Sequence, residues 1–292
     1  MQRTRFYLLL WQQVMENTQV PGRAPQDDRA GAAPSTPNNR SEPTVRLVCL
    51  PYAGGGSAVY HRWRPAMPGG VELLPVCLPG REQRIGEPVA ADLPAVARQV
   101  ADEIAPQLDR PLVLLGHSMG ALVAYELAHE LRCRGVRTPE LLVVAASGAP
   151  DSLPAAEPLH ELPDDQFVSR MRERFDGIPP AVADNPELLA LLLPVLRADV
   201  QLVETYRCPP RPPLDAEIVA LGGTDDPAIS AAKLAGWRTH TTGKFSARLM
   251  PGGHFFPFRG DGPQPPGAGP SVISPALRLV IDRLSVIITA HS

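Results

Sequence analysis

Residues 111–124 read Pro-Leu-Val-Leu-Leu-Gly-His-Ser-Met-Gly-Ala-Leu-Val-Ala. The run through Leu112, Val113, Leu114 and Leu115 has no polar break, as expected of a strand buried on both faces. Gly116-His117-Ser118-Met119-Gly120 follows, and an alanine- and leucine-rich helix is predicted from Met119 to about Arg134, closed by Gly135. Strand, glycine turn and helix in that order are the setting of a nucleophile elbow. The sharp turn forces the serine into strained backbone geometry, and small residues at 116 and 120 let strand and helix pass close. The Ser118 oxygen then stands clear of the sheet beside the positive helix N-terminus. The pentapeptide alone is only moderately specific. Its place between strand and helix makes Ser118 the candidate nucleophile.

Outward from this segment, strands and helices alternate. Apolar strands are predicted at 45–50, 71–78, 141–146 and 218–221, with a short one at 248–250. Asp92 can cap a helix with Pro94 in its first turn, and Val96, Val100, Ile104 and Leu108 recur every four residues along it. Such alternation implies a parallel sheet in an α/β domain. The pattern breaks between the fourth and fifth strands. Residues 151–211 carry only helical signals: one helix in 159–175 with Asp164 as its cap, and one or two more in 186–206. Inserted helices above a sheet often serve as lids.

The expected organisation is therefore an extension at 1–43, an α/β domain at 44–259, and a Gly/Pro-rich linker with a C-terminal segment at 260–292. Residues 19–43 are rich in Pro, Gly, Ala, Ser and Asn, too poor in apolar surface to offset ordering entropy. Residues 276–288 read as an amphipathic helix or strand.

Composition narrows the function. The 292 residues are 44% hydrophobic and 20% charged with a net charge of -3, so nothing favours nucleic acid or an anionic membrane. No apolar run reaches the roughly 18 residues of a membrane span. The N-terminal apolar run, 6–11, is shorter than a signal peptide requires. Cys49, Cys77, Cys133 and Cys208 lack metal-ligand spacing, and Cys49 and Cys77 fall in apolar runs as buried thiols. A cytoplasmic monomer is expected, with no metal and no cofactor.

A serine nucleophile needs a base. His254 follows a short strand and Gly252-Gly253 near the end of the domain, which suits the chain order serine, acid, histidine. The acid has two candidates at strand ends. Asp226 follows the fifth strand through Gly222-Gly223-Thr224-Asp225, and Asp151 follows the fourth; Asp226 is preferred for its glycine turn and its order before His254. An oxyanion hole needs two backbone N–H groups aimed at one point. Met119 supplies one, and Ala53 in the loop Pro51-Tyr52-Ala53-Gly54-Gly55-Gly56 is the candidate for the other. That loop lacks the Gly-Lys-Ser/Thr of a phosphate-binding loop, and His129-Glu130 lacks a second histidine at metal-site spacing.

Four segments together carry a family resemblance. They are Leu50-Pro51-Tyr52-Ala53-Gly54-Gly55; Leu78-Pro79-Gly80-Arg81-Glu82 with Arg84 and Glu87-Pro88; the serine pentapeptide; and Leu221-Gly222-Gly223 to Asp226-Pro227 with Pro251-Gly252-Gly253-His254-Phe255-Phe256. In them the chain resembles the type II thioesterases, editing enzymes of polyketide and nonribosomal peptide synthesis, within the α/β-hydrolase superfamily. The resemblance implies the α/β-hydrolase fold, with a mostly parallel sheet flanked by helices and a helical lid. It implies Ser118, Asp226 and His254 as a triad, with Ala53 and Met119 as oxyanion donors. It also implies a thioester substrate on an acyl or peptidyl carrier protein. Arg81 and Glu82 are expected to form a structural ion pair within their loop, with substrate contact as the alternative. The same fold would serve a medium-chain fatty-acyl thioesterase, a small-ester esterase or a non-catalytic carrier-binding module. The long N-terminal segment and the Gly/Pro break after Phe258 depart from the family pattern, and the break leaves the packing of the C-terminal segment open.

Overall fold

In the computed structural model, which describes residues 44–151, 158–175, 177–178, 180–258 and 273–291, six strands form one sheet. They are β1 (Val45–Leu50), β2 (Val71–Pro75), β3 (Leu112–His117), β4 (Leu141–Ala145), β5 (Glu217–Gly223) and β6 (Phe245–Met250). Their order is β2-β1-β3-β4-β5-β6, and every neighbouring pair is parallel. The extension expected at 1–43 and most of the linker expected after 259 lie outside the described residues.

Parallel strands need crossover connections, and here helices supply them. Those between strands are α1 (Ala58–His61), α2 (Leu93–Ile104), α3 (Met119–Cys133), α4 (Asp164–Phe175), α5 (Pro180–Ala183), α6 (Pro186–Thr205) and α7 (Ala231–Ala235), and α8 (Pro275–Ala290) follows the last strand. Alternate residues of β1 face opposite layers. Val48 and Leu50 join α2, α3 and α7, whereas Val45, Leu47 and Cys49 join Tyr60, Trp63 and α8. This is the α/β-hydrolase arrangement of a covered parallel sheet.

Local chemistry sets the helix starts. The Asp92 carboxylate accepts from the Ala95 N–H at 2.6 Å. Asn185 accepts from the Glu187 and Leu188 amides, with Pro186 at the first helical position of α6. The helix expected across 159–175 instead starts at Asp164, because the Pro163 carbonyl takes the first helical bond, from Phe167 N–H at 2.8 Å. Asp164 is thus the first helical residue and not a cap, and its carboxylate pairs with Arg197 at 2.6 Å. Residues 186–205 form one helix that runs through Pro194. β2 ends at Pro75 rather than 78, where its register with β1 ends at Cys49. β6 begins three residues earlier than expected, since as an edge strand it is half exposed and carries a weak apolar signal.

The C-terminal segment is a helix and it docks. Ser274 Oγ accepts from the Leu277 N–H at 3.1 Å and donates to the Pro257 carbonyl at 2.8 Å. Ala276, Leu277, Val280 and Leu284 close over the face of the sheet that carries Val45 and Leu47. Leu277 is 0% exposed. Leu277→Ala should therefore cost about 2–5 kcal/mol in urea unfolding. A loss below about 1 kcal/mol would mean that α8 does not pack on the sheet.

Candidate active site

The strand order reverses direction at β1 and β3. From β1 the chain moves to β2 on one side, then returns to β3 on the other, so the loops leaving these two strands diverge and open a crevice. Ser118 sits there, with φ 55° and ψ -117°. No regular element tolerates that conformation, and it separates the strand before from the helix after. Two glycines make the turn fit. A Cβ on Gly116 would lie 2.0 Å from the Gly120 oxygen, and one on Gly120 would lie 2.2 Å from the Leu50 oxygen.

His254 Nε2 lies 3.0 Å from Ser118 Oγ, and His254 Nδ1 lies 2.7 Å from Asp226 Oδ2. The other carboxylate oxygen of Asp226 accepts from the Ala228 N–H at 2.9 Å. Asp226 and His254 are both buried. They meet because the turns after β5 and β6 pass without side chains between them: a Cβ on Gly223 would lie 2.3 Å from the Gly252 oxygen. Asp151, the alternative acid, is elsewhere. It is exposed and lies 3.2 Å from His240 Nε2.

Ala53 and Met119 line the same cavity as Ser118 and His254. The loop after β1 makes a turn closed by Gly55 N–H donating to the Tyr52 carbonyl at 2.8 Å. Gly54 holds φ +73° at its third position, where a type II turn needs glycine. No acceptor among the described residues takes the Ala53 or Met119 amide. Met119 N–H is also one of the unpaired donors that open α3.

The cavity holds about 200 Å³ and lies between the sheet and the inserted helices. Leu122, Met171, Phe175, Val200 and Val203 supply much of its wall. Phe175 of α4 meets the His254 ring edge-on, with centroids 5.0 Å apart.

Three features of the site were not read from the sequence. His117 is wholly buried, and its Nε2–H donates to the His254 carbonyl at 2.8 Å, so it supports the backbone of the neighbouring histidine. Glu126 of α3 takes up Arg211 at 3.0 Å and the Tyr206 hydroxyl, which ties the end of the insertion to the helix behind Ser118. The third overturns an expectation. Arg81 does not pair with Glu82. It forms a two-pronged ion pair with Asp199 of α6, at 2.7 and 2.8 Å. Glu82 turns instead to the Ser57 hydroxyl and the Ala58 amide. The neighbours in sequence diverge because Glu82 sits at φ 48°, while Arg81 is extended.

A serine on an elbow, hydrogen-bonded to a histidine and through it to a carboxylate at the ends of a parallel sheet, is an arrangement of the α/β-hydrolase fold. The thioesterase domain family model matches residues 45–265. Gramicidin S biosynthesis protein GrsT of Aneurinibacillus migulanus is 37% identical over 219 residues, covering 75% of this chain and 85% of the relative. Among solved structures, the RedJ thioesterase of the prodiginine pathway in Streptomyces coelicolor matches with TM-score 0.73 and 34% identity, over 88% of this chain and 96% of that one. The type II thioesterase BorB of the borrelidin biosynthetic cluster matches with TM-score 0.64 and 33% identity, over 76% and 86%. The chain belongs to the thioesterase family and is a type II thioesterase.

Burial, reinforced by the nearby His254, pulls the His117 pKa down to about 3, so this ring is neutral in the folded protein. An unfolded histidine titrates near 6.5. The contribution of His117 to stability is thus full above about pH 6.5 and is lost as pH falls toward 3. Between about pH 6 and pH 4 the unfolding free energy should fall less steeply in His117→Gln than in wild type, by up to about 1.4 kcal/mol per pH unit. Parallel curves in urea titrations would show that His117 is not held neutral.

Proposed function

We propose that this thioesterase hydrolyses acyl groups from the phosphopantetheine arms of acyl or peptidyl carrier proteins, in editing stalled or misprimed chains, with Ser118, His254 and Asp226 as its triad. The observation that carries the reading is the unbroken hydrogen-bonded line from Ser118 through His254 to Asp226 at the wall of an apolar cavity. Support for the carrier-bound substrate comes from the company the chain keeps. GrsT and RedJ are named for the biosynthesis of gramicidin S and prodiginine, and BorB for the borrelidin cluster.

The chemistry follows from the geometry. His254 Nε2 takes the Ser118 hydroxyl proton as Oγ attacks the thioester carbonyl. Asp226, accepting from Nδ1–H, holds the ring in the required tautomer and stabilises the imidazolium. The carbonyl oxygen becomes an oxyanion between the Ala53 and Met119 amides, where one donor is typically worth about 3 kcal/mol. The tetrahedral intermediate collapses, the carbon–sulfur bond breaks, and the carrier thiol leaves with the proton from His254. Water, deprotonated by His254, then attacks the acyl-serine. The serine oxygen recovers its proton and the free acid departs. In this reading α4, α5 and α6 are the lid, and the acyl chain lies along Leu122, Met171 and Val203.

Ser118→Ala should lose hydrolysis of carrier-bound thioesters and labelling by a fluorophosphonate probe. Asp226→Asn should lower kcat by roughly 10⁴-fold, as a misdirected tautomer does, with Asp151→Asn near wild type. Labelling that persists in Ser118→Ala would overturn the nucleophile, and the reverse ranking of the two aspartates would move the acid. If simple esters turn over and carrier thioesters do not, the carrier reading fails.

A further inference from the structure

We propose that Arg81 and Asp199 are positioning residues that hold the oxyanion loop in its catalytic shape, so that an inserted helix sets the geometry of the oxyanion hole. The inference rests on the reading of Ala53 as an oxyanion donor. The Ala53 N–H belongs to the same rigid peptide unit as the Tyr52 carbonyl. That carbonyl accepts from Gly55 N–H at 2.8 Å. The next unit carries Gly54 N–H, which donates to Asp199 Oδ2 at 2.7 Å. The unit after Gly55 presents its carbonyl to Arg81 Nη1 at 2.9 Å. Each peptide plane from Tyr52 to Gly56 is therefore tied, and two of the ties are made by the one ion pair.

The pair itself is buried, with Arg81 4% and Asp199 1% exposed. A buried ion pair pays heavy desolvation and is weak evidence of stabilisation, since apolar residues of similar size often do as well. Its hydrogen bonds to the loop are what apolar residues could not replace. Asp199 Oδ2 accepts from both Gly54 N–H and Arg81 Nη1, so the guanidinium sets the direction of the carboxylate that holds the loop. Leu196, one turn earlier on α6, fills the space beside Gly54: a Cβ there would lie 3.1 Å from its Cδ1. Two residues of α6 thus bear on the loop.

The test uses the full chain with three probes of one acyl length: a pantetheine thioester, its non-cleavable thioether, and a trifluoromethyl ketone that adds to a serine as an oxyanion. In the Arg81→Leu/Asp199→Leu variant, kcat and ketone affinity should both fall by about tenfold or more, as misplacing a reacting group does. Thioether affinity should stay within about twofold, because ground-state binding does not use the oxyanion hole. Should that variant not fold, Asp199→Asn decides: it keeps an acceptor for Gly54 but weakens the hold of Arg81, and should show the same split at smaller size. Wild-type kcat and ketone affinity in a folded variant, or ketone and thioether affinities falling together, would overturn the proposal. Ser118→Ala run alongside separates the two levels. If it still turns over the thioester, the triad reading fails; if it is inactive while the pair variants match wild type, the triad reading stands and the positioning role fails.

Discussion

The closeness of three backbones at Ser118 governs the rest of the molecule. Gly116 meets the first turn of α3 at a distance that no Cβ would permit, and Gly120 in that turn presses against the end of β1 at Leu50. The serine is thereby held in its strained turn, and α3 is clamped beside the strand whose loop carries Ala53. These two contacts therefore place the candidate nucleophile and the candidate oxyanion loop side by side. His254 and Asp226 arrive by a different route, through the parallel register that brings the ends of β5 and β6 level with each other. A second close approach, between Gly223 and Gly252, lets their turns meet.

These local constraints explain what the sequence made legible. A buried parallel strand is an unbroken apolar run, so β1, β3 and β4 were plain within a residue or two. An elbow needs glycines at fixed spacing, so Ser118 stood out. His254 and Asp226 each follow a glycine turn after a strand. What stayed hidden depends on distance along the chain. Arg81 lies 118 positions from Asp199, and its neighbour Glu82 offered a nearer but wrong partner. His117 stands next to the serine, yet its bond to the His254 carbonyl exists only once β3 and the final loop are in place. The one or two helices expected in 186–206 are a single helix that runs through Pro194, and α8 follows a Gly/Pro-rich stretch that gives no hint of where the next element docks.

The insertion is built in tiers. α6 is bound to the body at two levels, by Asp199 to Arg81 and just beyond its end by Tyr206 and Arg211 to Glu126. The turn at 159–162 that leads into α4, and the first residue of α4, are bound to α6. Arg197 reaches the carbonyls of His160 and Leu162 and the Asp164 carboxylate, and Glu204 takes the His160 ring at 2.6 Å. The insertion also has an apolar core of its own, with Phe167 and Met171 packed against Leu193 and Leu196. The cavity thus has one wall continuous with the catalytic body and another held by the insertion.

That construction bears on selectivity. The walls near Ser118 are largely aliphatic or aromatic, and Glu204, a polar group on the wall, is already engaged by His160 and two backbone amides. An apolar pocket separates ligands that differ by one methylene by only about 1–3 kcal/mol, whereas a buried polar group left unpaired can discriminate far more sharply. On the proposed reading, recognition of the acyl chain is then permissive, and the steps that use the triad and the oxyanion loop are common to every chain that fits. On that same reading an editing enzyme has to act on chains of varied structure, and a shape-tolerant cavity beside a tied candidate oxyanion loop would meet that demand by separating what is bound loosely from what must be placed closely.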